Sequence, residues 1–135
     1  MTSLGPDKLD AIFTMQHDLM YLLRRVEPGM PDWPIDPSCA DSQRFCRDIA
    51  LRATEELHEA LVHLKSWKAH RTVDGGAFDV AAFSEELIDA LTYIIELAAL
   101  VGVDAKELYT AFCMKNATNM LRAQGRISAL RGAQG

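Results

Sequence analysis

Cysteine is scarce in this chain, and positive charge is in deficit. The three cysteines, Cys39, Cys46 and Cys113, are odd in number and lack C-x-x-C spacing, so neither a disulfide framework nor a zinc site is suggested. Three such thiols fit the reducing cytoplasm, or a host cytoplasm if the chain is viral. The formal charge is -5 and the sequence pI is near 5.3. That balance argues against a partner such as a nucleic-acid polymer, whose binding rests on neutralised phosphates, while a small anion can still be held by a local cluster or a bound cation. No long uninterrupted apolar run exists: "LIDALTYIIELAALVGV", 87–103, is broken by Asp89 and Glu96 and falls short of a comfortable membrane span. The opening "MTSLGPDKLDAIF" has no basic region ahead of an apolar run and does not read as a signal peptide. Strand-like alternation is missing too, which leaves an all-α class.

What is present is helical periodicity. With 135 residues, 49% of them apolar and 24% charged, the chain suits a single domain, 1–135, with a modest core. The spacing predicts a first helix over 6–26, with Pro6 in its first turn and Leu9, Ile12, Phe13, Leu19, Leu22 and Leu23 along one side. "EPGMPDWPIDPS", 27–38, holds four prolines and must be a loop. Ser38 or Asp41 can cap a second helix running to about residue 70. A third is expected from about 80 to 101, closed by Gly102. Asp104 and Glu107 resemble a capping box for a fourth helix over about 105–123, ended by Gly125 and followed by a tail, 126–135. Together these predict a four-helix-bundle-like domain.

The acids are unevenly placed. Glu56 and Glu59 on the second helix, and Glu86 and Asp89 on the third, form two pairs at i, i+3, each on one helix face. The separation between the pairs suits an antiparallel turn, so all four carboxylates can converge. Divalent cations would relieve their repulsion, and hard oxygen donors favour Mg²⁺ or Mn²⁺, with room for more than one ion. Two alternatives stand beside this. The acids can be solvated helix faces of a non-enzymatic interaction module. Glu55 and His58 also make one Glu-x-x-His unit of the type found in di-iron bundles, although a second unit is lacking.

These residues resemble the all-α nucleoside triphosphate pyrophosphohydrolase superfamily, which includes MazG-like proteins and dimeric dUTPases. "EELHE" at 55–59 and "ELID" at 86–89 are similar to the family pattern E-E-x-x-E followed by E-x-x-D. "LKSWKAHR" at 64–71 and "MKNATNMLRAQG" at 114–125 resemble two further dUTPase segments. The resemblance implies hydrolysis of a (d)NTP to the monophosphate and pyrophosphate by water attack at the α-phosphate. It casts Glu56, Glu59, Glu86 and Asp89 as metal ligands and Glu55 as the candidate general base or an orienter of water. Lys68, Lys115, Asn116, Asn119 and Arg122 become candidate phosphate and sugar contacts, with Arg71 a weaker one.

Base choice is expected to fall to the first helix and the proline-rich loop, through Ile12, Gln16, Met20 and Trp33. In "MQHDLM", 15–20, Gln16 matches the uracil-reading segment of dimeric dUTPases, but Met20 stands where that segment has asparagine. A thioether cannot replace an amide in hydrogen-bond discrimination. The departure favours a purine deoxynucleotide such as dGTP, as in short phage MazG-like enzymes of the MazZ type, with dUTP as the alternative substrate. Core packing is the competing explanation for Ile12 and Met20. Amphipathic helices in so short a chain also predict a homodimer or homotetramer.

Overall fold

A computed structural model describes residues 7–65, 67 and 78–134. Among them the chain is all helical: α1 Lys8–Leu23, α2 Ala40–Val62, α3 Val80–Leu100 and α4 Ala105–Ala133, with no strand. Two compact units are present, residues 1–102 and 103–135.

In the first unit, α3 packs along α2 and also meets α1. Cys46 of α2 lies near Glu96 of α3, whereas Glu56 lies near Glu86 and Asp89. The two helices therefore run in opposite directions. Their seam continues into a core of Met20, Ile49, Ala99 and Leu100, against which Met30, Trp33 and Ile35 of the proline-rich loop are packed. A loop so poor in donors is held by few backbone bonds; one is Ile35 N–H donating to Leu100 O at 2.8 Å. Arg24 also pairs with Asp32 and lies over the Trp33 ring, 5.6 Å from its centroid.

Helix ends show where local chemistry decided the outcome. Asp7 caps α1 by accepting from Leu9 N–H and Asp10 N–H, and the helix stops at Leu23 instead of 26. Pro6 lies outside the described residues. The expected caps of α2 are not used: Ser38 donates to Asp36 through its backbone and its hydroxyl, and Asp41 pairs with Arg44 inside the first turn. Cys39 occupies the cap position and makes no side-chain cap bond. The helix ends at Val62, short of the expected residue 70: residues 63–65 and 67 are not helical, and 66 and 68–70 lie outside the described residues. Gly102 closes α3 at φ 82°, a left-handed conformation that costs a side-chain-bearing residue energy. An added Cβ there would also meet the Pro34 Cβ at 3.1 Å.

The second unit consists of the turn after Gly102 and α4. Asp104 and Glu107 form the anticipated capping box, each side chain accepting from the other's backbone N–H. The expected stop at Gly125 is overturned: α4 continues through it to Ala133, so 126–133 is helix and not a tail. A helical glycine costs only about 1 kcal/mol relative to alanine, and no proline follows to enforce a stop.

Candidate metal site

The i, i+3 pairs predicted from sequence lie on facing helices. Glu56 from α2 and Glu86 and Asp89 from α3 each place one carboxylate oxygen within 4.8 Å of the others. Glu56 and Glu86 are half-buried, and Asp89 is exposed. Burial, followed by the charges of Glu59, Asp89 and Glu86, raises the Glu56 carboxyl above the ordinary carboxylate range. The spacing can be set against one ion: trans oxygens around Mg²⁺ stand about 4.2 Å apart at a bond length of ~2.1 Å. Oxygens that lie within 4.8 Å of one another can be brought onto one such ion by side-chain rotation. Three hard oxygen donors with open access to water therefore fit Mg²⁺ or Mn²⁺, with water completing the coordination.

The remaining acids of the motif stand differently. Glu59 is exposed and adds its negative charge beside Glu56, but it is outside the converging trio. Glu55 and His58 are exposed on α2, and neither belongs to the trio. Sequence reasoning passed over His63, whose Nε2 is 3.8 Å from Glu86 Oε1, both side chains being largely covered. Its signal was available: His63 follows Glu56 by seven residues, two helical turns along one face.

A cleft of about 350 Å³ lies between α1 and α3. Ile12, Met15, Gln16 and Leu19 line one side, and Ile88, Leu91, Thr92 and Ile95 the other. Ile12 and Gln16, two of the predicted base contacts, are thus together. Gln16 is buried, and its Nε2 has no hydrogen-bond partner among the described residues. The Thr92 hydroxyl donates to Ile88 O at 2.9 Å, which leaves its oxygen free to accept. The other two predicted contacts are not at this cleft. Met20 is fully buried in the core. Trp33 packs against the same core, its ring 5.0 Å from Tyr21 and 6.4 Å from His17 between centroids.

The predicted phosphate contacts divide between elements. Lys115, Asn116, Asn119 and Arg122 are exposed on α4 in the second unit, where Lys115, Asn119 and Arg122 share one side. Lys68 and Arg71 lie outside the described residues; Trp67, between the lysine and the end of α2, is exposed.

Among the described residues, no helix is long and apolar enough to cross a membrane. The fold and the acid trio define an all-α protein with a candidate divalent-cation site. No protein-family model matches the chain, and neither a curated protein nor a solved structure matches it significantly.

Proposed function

We propose that the protein is a divalent-metal-dependent nucleoside triphosphate diphosphatase, releasing pyrophosphate and a monophosphate, with a purine deoxynucleotide such as dGTP as the favoured substrate. One observation carries the proposal: Glu56 of α2 and the i, i+3 pair Glu86 and Asp89 of α3 bring carboxylate oxygens within 4.8 Å of one another. Such crowding of like charge is costly without a cation between the groups. Glu56, Glu86 and Asp89 would hold Mg²⁺ or Mn²⁺, with Glu59 at the edge of the site. The metal would supply charge neutralisation for the triphosphate and a more acidic bound water.

In the reaction, a water oxygen bonds to the α-phosphorus, and the bond from that phosphorus to the oxygen bridging the β-phosphate breaks. Pyrophosphate leaves with the electron pair of that bond. The water's proton must go to a base, and Glu55, exposed on α2, is the proposed acceptor or orienter. The cleft holding Ile12 and Gln16 is the proposed base site, where an acceptor on the base would satisfy the Gln16 amide. Lys115, Asn116, Asn119 and Arg122, and Lys68, remain the proposed phosphate and sugar contacts.

We also propose assembly as a homodimer or homotetramer. Exposed Val62 and Ile88 in the first unit and Phe112 and Leu121 in the second support it.

The deciding experiment incubates purified protein with Mg²⁺ or Mn²⁺ and each common NTP and dNTP, measuring monophosphate and pyrophosphate together. Pyrophosphate release is expected, fastest with dGTP and with dUTP as the main competitor. Glu59→Gln and Asp89→Asn should lower the rate about 10²-fold or more while the protein stays folded. A panel of untouched substrates would sink the proposal, and unchanged rates in the folded variants would remove the acids from it.

A further inference from the structure

Away from the acid trio, three segments meet around one buried carboxylate. Glu96, on α3, is 2% exposed, and its Oε1 has no hydrogen-bond partner among the described residues. Arg52 of α2 faces it, but that guanidinium is bonded to Glu27, at the start of the proline-rich loop, with Nη2 2.8 Å from Oε1. Cys46 of α2 and Tyr93 of α3 also face Glu96. Two carboxylates thus share one cation. We propose that Glu96 is a proton-operated latch on the proline-rich loop: protonated, it leaves Arg52 to Glu27 and the loop tied down, and ionised, it takes Arg52 and releases Glu27.

The direction follows from solvation. An ionised Glu96, whose Oε1 has no hydrogen-bond partner among the described residues, is far costlier than an ionised Glu27, because Glu96 is sealed in, whereas the Glu27 side chain is 18% exposed and can turn to water. Arginine offers five N–H donors in a rigid fork, so the group with no other recourse claims them. Repulsion between the two carboxylates pushes the same way. Burial first, then the Glu27 charge, raises the Glu96 carboxyl to about 7, with Arg52 opposing, which places the change within the physiological range. Two backbone bonds report the loop's attachment: Glu27 N–H to Leu23 O at 2.7 Å, and Ile35 N–H to Leu100 O at 2.8 Å.

The test measures amide hydrogen-exchange protection factors of Glu27 and Ile35 in the full chain between pH 6 and 8, alongside the ¹³C carboxyl shift of Glu96. Protection should fall about tenfold across that range, following the Glu96 titration, and Glu96→Gln should abolish the pH dependence. Protection that does not change with pH in the wild type, or that falls equally in Glu96→Gln, overturns the latch. Should Glu96→Gln fail to fold, Glu27→Gln decides: the Glu96 midpoint should move down and loop protection should lose its pH dependence, and an unmoved midpoint overturns the proposal.

Discussion

Glu56 is the residue on which the acid trio turns. Its carboxyl is held above the ordinary range by burial and by Glu59, Asp89 and Glu86. A carboxyl raised in the folded state makes folding less favourable as pH climbs from the ordinary carboxylate range, because the unfolded chain ionises first. At pH 8 without divalent ions, Glu56→Gln should therefore melt higher than the wild type. Adding Mn²⁺ should raise the melting temperature of the wild type by more than that of the variant, since binding to the folded state alone stabilises it. Equal melting temperatures at pH 8 without metal would contradict the repulsion. At this scale the i, i+3 spacing made the paired acids legible, since helix geometry places such pairs on a face without knowledge of the partner helix. It could not separate Glu59, which stays exposed, from Glu56, because that depends on how α2 is rotated against α3. His63 shares the face of Glu56 but carries no acidic spacing, so the same argument passed over it.

Elements were more legible than their ends. Apolar periodicity located all four helices, and the capping box at Asp104 and the positive φ at Gly102 were anticipated because both require particular chemistry at particular positions. Two glycines, Gly102 and Gly125, looked equally able to stop a helix, yet only Gly102 does. The residues on their C-terminal side make the difference. Val103 and Asp104 lead straight into a new cap, whereas "RISALR" after Gly125 can remain helical. A Cβ at Gly125 would meet nothing within 4 Å, so Gly125→Ala should stabilise α4 by about 1 kcal/mol, read as a higher melting midpoint of helical circular dichroism. No gain would mean that the helix breaks there in solution. The start of α2 was illegible for a related reason: Asp36 draws in the Ser38 hydroxyl, a competition that single-residue cap preferences do not include.

For the molecule as a whole, self-assembly has a direct measure. Sedimentation at micromolar concentration should give twice or four times the 15.0 kDa of one chain, and a single-chain mass at every concentration would refute it. The all-α class was legible from the sequence because nothing in it competes with helix. The placement of Met20 and Trp33 was not, since an apolar side chain at helical spacing serves a core or a cleft equally well. The Gln16 amide has a consequence at this largest scale. A buried donor without a partner costs about 1–3 kcal/mol, so thermal robustness and ligand recognition pull this position in opposite directions. A lineage or library selected for heat resistance alone would tend to replace the glutamine with an apolar residue, whereas selection on a ligand that supplies an acceptor would keep it.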